Sequence, residues 1–126
     1  MERLKPSFSV TRYDALGEVH FAASGLWTLE TMVEFQRELI VKSKPLFEKG
    51  IPMRSLADLR GFVAQDKTVA AAIRTVVAEA IKLGTVQTAI ITDSVLVKMQ
   101  YERLNDGLEL ATFENKDEAL NWLRSK

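Results

Sequence analysis

The chain opens on an alternation of apolar and polar residues with a period of two. Phe8 and Val10 are the apolar members, and the pattern breaks at Arg12 toward Tyr13. That period predicts a half-buried strand over residues 8–13. Residues 14–17 run from an Asp to a Gly and read as a turn. Val19, Phe21 and Ala23 then resume the alternation, so the first two strands are expected to form a β-hairpin.

After Gly25 the period lengthens. Leu29, Met32, Val33 and Ile40, with Phe35 and Leu39 beside them, are spaced for a helix of about three turns. Thr28 is suited to cap its N-terminus, and Glu30 in the first turn suits the helix dipole. Pro45 disfavours a helical Lys44, so the helix is expected to end or kink there. Gly50 and Pro52 mark a loop. Residues 53–59 are short and apolar and predict a central strand. Residues 69–83 form the clearest helix, with Val69, Ile73, Val76, Val77, Ala80 and Ile81 on one stripe and several alanines favouring the conformation. Gly84 is placed to terminate it.

A strand over 86–92 follows. Asp93 and Ser94 are candidate caps for a third helix over 95–104, closed by Asn105-Asp106-Gly107. A last strand over 108–113 and a helix capped by Asn115, carrying Ala119, Leu120, Trp122 and Leu123, complete the pattern. The order is ββαβαβαβα. It predicts an α/β fold with a four- or five-stranded, mostly parallel sheet, an antiparallel N-terminal edge strand and about four helices. No repeat, low-complexity tract or long linker divides residues 1–126, so one domain is expected.

The composition narrows the function classes. At 126 residues the chain has a common size for one domain. Lys plus Arg equals Asp plus Glu at 17 each, so the basic excess that usually accompanies nucleic-acid binding is missing. With no cysteine, disulfides, thiolate nucleophiles and Cys-based zinc sites are excluded. Residues 1–6 lack the apolar stretch of a signal peptide, and no apolar run reaches a membrane span of about 20 residues. A cytoplasmic protein that does not span a membrane is expected.

The six glycines are widely spaced, and none builds a phosphate-binding loop. His20 is the only histidine, and it reads as a strand residue on the face opposite Val19 and Phe21. No cofactor, metal centre or catalytic set is indicated. The methionines fall at core positions and read as gap-fillers. Asp58 and Asp93 sit near the C-terminal ends of parallel strands, the edge at which ligands bind in open α/β sheets. Either could instead hold its own loop or cap a helix. Arg60, Asp66, Lys67 and Thr68 form a polar loop that could meet a ligand or partner, with Asp66 or Thr68 as an alternative cap. Trp27 is a candidate interface anchor or a core residue. The third helix, with Val95, Leu96, Val97, Met99 and Tyr101, is apolar on more than one side.

Four segments carry a resemblance. They are Ala23-Ser24-Gly25-Leu26-Trp27-Thr28, Leu56-Ala57-Asp58-Leu59-Arg60-Gly61, Ala89-Ile90-Ile91-Thr92-Asp93, and Thr112-Phe113-Glu114-Asn115 leading to Glu118-Ala119-Leu120 and Trp122-Leu123. In this order they resemble the SpoIIAA-like branch of the STAS superfamily, named for sulfate transporters and anti-sigma-factor antagonists. The resemblance implies helices largely on one side of the sheet and a non-enzymatic, regulatory role as a ligand- or protein-binding module, with a homodimer expected.

Phosphorylation-controlled members carry an Asp-Ser-type acceptor before the helix after the central strand. Here that stretch reads Phe62-Val63-Ala64-Gln65-Asp66-Lys67-Thr68, and its only hydroxyl is Thr68. The expected binding edge comprises Trp27, Thr28, Asp58, Arg60, Thr68, Thr92, Asp93 and Ser94, facing a small apolar or anionic ligand or a regulatory protein. A phosphorylation switch at Thr68, and a small enzyme using Asp58 and Asp93, are the alternatives.

Overall fold

The structure is a computed structural model that describes residues 4–102 and 109–125. The hairpin forms as its alternation predicts. Strand β1 (Ser7–Tyr13) pairs antiparallel with β2 (Glu18–Ser24), in a register that sets Val10 opposite Phe21. Between them a short 3-10 turn, Asp14–Leu16, ends at Gly17 with a φ of 63°. Strands β3 (Met53–Asp58), β4 (Thr85–Ile91) and β5 (Glu109–Phe113) extend the sheet in parallel with β2. The order in space is β1-β2-β3-β4-β5, with β1 as the antiparallel edge.

Helix α1 (Leu29–Glu48) connects β2 to β3, and α2 (Lys67–Leu83) connects β3 to β4. Helix α3 (Val95–Glu102) follows β4, and α4 (Lys116–Leu123) follows β5. Each cap is a side-chain oxygen that accepts an otherwise orphaned backbone N–H. Thr28 accepts from Thr31, Asp66 from Val69, Ser94 from Val97 and Asn115 from Glu118. Of the alternatives the sequence left open, Asp66 therefore caps α2 and Ser94 caps α3. The end predicted for the third helix at Leu104, the Asn105-Asp106-Gly107 stop and Leu108 lie outside the described residues.

Of the two outcomes expected at Pro45, an end or a kink, the helix does not end there. Helix α1 runs through Pro45 to Glu48. A proline there removes a single ladder bond, the one to the carbonyl of Val41. The following turn is anchored by packing, since Leu46 is buried against Val19 and Met53. On the adjacent carbonyl, Lys42 O accepts from Arg12 Nη1 at 3.1 Å. Tertiary contacts outweigh the local preference at Lys44.

The two faces of the sheet are covered differently. Helices α1, α2 and α3 share one face, where Trp27, Met32, Phe35, Ala57, Leu59, Phe62, Ile73, Ile90 and Val97 form the larger core. Helix α4 alone covers the other, packing Ala119 and Leu123 on Leu56, Ala89 and Ile91. Because the parallel strands follow one another in sequential order, no reversal of strand order opens a crevice between diverging connections at their C-terminal edge.

Candidate functional site

At the C-terminal edge of the strands the eight residues expected there divide into small groups. Asp58 and Arg60 form a forked ion pair. Arg60 Nε donates to Asp58 Oδ1 at 2.9 Å and Nη2 to Oδ2 at 2.7 Å, while the Arg60 backbone N–H also donates to Oδ1. The side-chain bonds from Arg60 hold the Asp58 carboxyl below its ordinary range, against the opposing effect of burial. Its hydrogen bonds to the Asp58 carboxylate, with that carboxylate's charge and weaker help from the charge of Asp93, raise the Arg60 pKa in turn. The guanidinium is thus already answered by one carboxylate and biased by a second, so an incoming anion would have to displace Asp58.

Thr92 is buried and accepts from the N–H of Ser94 at 3.1 Å, which sets the turn into α3. Asp93 is exposed beside them. Thr68 is also exposed, in the first turn of α2. Thr28 is committed to capping α1.

Trp27 is buried, at 3 % exposure. It serves the core, one of the two roles open to it in the sequence. Its indole N–H donates to Ser24 O at 2.9 Å, and its ring meets Phe35 and Phe62 edge-on with centroids 5.1 and 5.3 Å away. Gly25 makes this possible. Its φ is 85°, and a Cβ there would lie 2.2 Å from Lys5 O, so only glycine lets the chain pass the N-terminal segment.

Gln65 has a structural role that the sequence reading passed over. Its buried amide accepts from Trp27 N at 2.7 Å and donates to Gly25 O at 3.1 Å and to Val63 O. One side chain thus ties together the loops leaving β2 and β3. A lone Gln in a loop carries no pattern that would announce this.

Behind that aromatic end lies a cavity of about 110 Å³, enclosed by the sheet, α1 and α2. Trp27, Phe35 and Phe62 line one end, Met32, Leu39, Val76 and Ile90 line its length, and Ser43, Met53 and Thr85 line the other. It reaches the surface between the two helices, where the exposed side chains of Ile40, Glu79 and Leu83 stand at its rim. Five hydroxyl residues, Ser43, Ser55, Thr85, Thr88 and Tyr101, interrupt a mostly apolar wall. Ser43 was detectable in the sequence, because it continues the stripe Met32, Phe35, Leu39, Ser43, Leu46 on the buried side of α1.

A second feature lies at the other end of the sheet. Glu18, the first residue of β2, is 1 % exposed. Its carboxylate accepts from Arg124 Nε and Nη2, each at 3.0 Å, and sits 2.8 Å from His20 Nε2. A carboxylate can only accept, so His20 Nε2 carries the proton. Burial pushes the Glu18 pKa up, but the bonds to Arg124 and His20 together outweigh it and bring the value below the ordinary range. His20 does lie on the face opposite Val19 and Phe21, stacked near Tyr13.

No protein-family model matches the chain, and no curated protein matches it. Among the solved structures similar to it, two illustrate the likeness. One is an uncharacterised protein of the DUF3478 family with a SpoIIAA-like fold from Shewanella loihica PV-4, at 23% identity over 94% of this chain and 93% of that one, with a TM-score of 0.65. The other is an anti-sigma factor antagonist from Mycobacterium paratuberculosis, at 13% identity over 95% of each chain, with a TM-score of 0.60. The hairpin-led five-stranded sheet and the four helices among the described residues therefore give this chain a SpoIIAA-like fold.

Proposed function

We propose that the protein is a non-enzymatic regulatory module that takes a small apolar ligand into the cavity between α1, α2 and the sheet. The observation that carries this reading is the cavity itself, an apolar space of about 110 Å³ that opens between two helices. Protein interiors are close-packed, and voids of this size are few in a domain. A dry apolar cavity of roughly 150 Å³ holds a guest the size of benzene. The flexible Met32 and Met53 in the wall give this slightly smaller one room to adapt. The likeness to an anti-sigma factor antagonist supports a regulatory role in which a protein partner reads the state of the module.

Trp27 lines the cavity, whereas Trp122 lies on the opposite face against Phe113. Titration with toluene is therefore expected to change tryptophan emission saturably, and Trp27→Phe is expected to abolish the change. An unaltered wild-type spectrum, with calorimetry also silent, would end the ligand reading.

A second reading rests on Thr68. It is exposed in the first turn of α2, where a phosphate would gain from the helix dipole and alter the surface beside the cap. Mass analysis of protein from its own cells is expected to show a phosphate that Thr68→Ala removes. An unmodified chain under all growth conditions tested would refute it.

A further inference from the structure

Two hydroxyls in the cavity wall lack the partners that buried polar groups almost always have. Ser43 and Thr85 are each 4 % exposed, and neither Ser43 Oγ nor Thr85 Oγ1 makes a hydrogen bond among the described residues. A serine inside a helix commonly turns its hydroxyl back to the carbonyl four residues earlier. Thr75 does this in α2, donating to Ala71 O at 3.2 Å. Ser43 does not.

Both hydroxyls belong to the same end of the cavity. Thr85 is the first residue of β4 and the register partner of Met53. Ser43 stands one turn before Leu46, which packs on Met53. The aromatic group of Trp27, Phe35 and Phe62 closes the other end. The two unsatisfied hydroxyls therefore lie at the end of the space away from Trp27, Phe35 and Phe62.

The charge of the wall is equally informative. Among the described residues the only ionisable carboxyl or cationic side chain lining the space is Glu79, which is exposed at the rim. A charge carried to the Ser43 and Thr85 end would be desolvated without a counterion, which is strongly unfavourable. A hydroxyl, by contrast, both donates and accepts, and two unpartnered hydroxyls at one end of the space can complete its bonds.

We infer that the occupant is a neutral amphiphile, an apolar body bearing one uncharged group that donates and accepts hydrogen bonds, with that group seated on Ser43 and Thr85. The inference rests on the cavity being a ligand site and adds the ligand's chemical class and orientation.

The test compares three probes of nearly equal size by calorimetry: toluene, benzyl alcohol and benzoate. Benzyl alcohol is expected to bind at least as tightly as toluene, despite its stronger hydration, and benzoate at least tenfold more weakly. In a Ser43→Ala, Thr85→Val variant the affinity for benzyl alcohol is expected to fall about fivefold to tenfold, while that for toluene is kept or improved. That variant removes only unsatisfied groups and so should fold, which its toluene binding confirms. Toluene binding tenfold tighter than benzyl alcohol in the wild type would overturn the assigned class and leave the ligand site standing. Benzoate binding most tightly would overturn it in favour of a charged ligand. Failure of all three probes to bind would remove the cavity reading itself.

Discussion

Arg124→Ala is expected to destabilise the fold far more than an exposed ion pair would suggest, because its partner is not exposed. Glu18 is 1 % exposed and Arg124 about half exposed, and two guanidinium bonds of 3.0 Å join them. Removing one partner of a fully buried pair costs about 3–5 kcal/mol. Solvent screens the arginine end here, so we discount the cost to about 2 kcal/mol. In a domain of this length that corresponds to a Tm lower by roughly 8 °C. Glu18→Gln should cost less, about 1 kcal/mol, since it leaves behind an arginine that can turn to water.

The pH dependence supplies the discriminating sign. In the wild type the Glu18 pKa is lowered, so its stabilisation is present above the ordinary glutamate value of about 4.3 and is lost as pH falls through the folded value. Without Arg124, burial is opposed by His20 alone and that pKa rises, so protonation costs the variant less than it costs the wild type. The gap between Arg124→Ala and wild type should therefore narrow as pH falls from 7 toward 4. Urea unfolding at several pH values measures it. A difference under 0.5 kcal/mol at pH 7, or a gap that widens with acid, would refute the reasoning.

Three further outcomes follow from the geometry. Gly25→Ala forces a Cβ to within 2.2 Å of Lys5 O at a φ of 85° and should cost at least about 2 kcal/mol in urea unfolding, with Gly50→Ala much milder because nothing lies within 4 Å of its added carbon. Gln65→Leu strips the acceptor from Trp27 N and the donors to Gly25 O and Val63 O, and should lower stability by about 2 kcal/mol while speeding amide exchange at Trp27. Thr85→Val should raise the stability of the ligand-free protein by about 1 kcal/mol, visible as a Tm roughly 4 °C higher, because it replaces an unpartnered hydroxyl with a methyl group of the same shape.

Local signals were read well where the physics is local. Thr28, Asn115 and Gly84 occupy the terminal positions their chemistry suits, and the alternation of Val19, Phe21 and Ala23 places the core face of β2 correctly. Pro45 shows the opposite case, a local preference overruled by the packing of Leu46. Trp27 could be assigned to surface or core only once the turn at Gly25 was known to carry it inward. The pair Glu18 and Arg124 lies 106 residues apart, and no spacing rule connects them. The cavity had one legible trace, the serine on the buried stripe of α1, and its meaning depended on Thr85 lining the same space from a strand far along the chain.

The two faces of the sheet divide cohesion from accommodation. Under α4 the contact is dry and complete, with Ala89, Ile91, Ala119 and Leu123 all fully buried. Beneath α1 and α2 the packing is left open, its wall holding methionines and hydroxyls where a closed core would hold branched aliphatics. Under the proposed reading a guest would occupy that side alone, away from the residues that α4 packs on. The helices that would part to admit it also carry Thr28, Asp66 and the Gln65 clamp at the strand edge. Under the proposed reading, a guest that moved α1 against α2 would therefore shift the surface containing Thr68 and the Asp58–Arg60 pair, and a protein partner could read that shift through ordinary helix displacement.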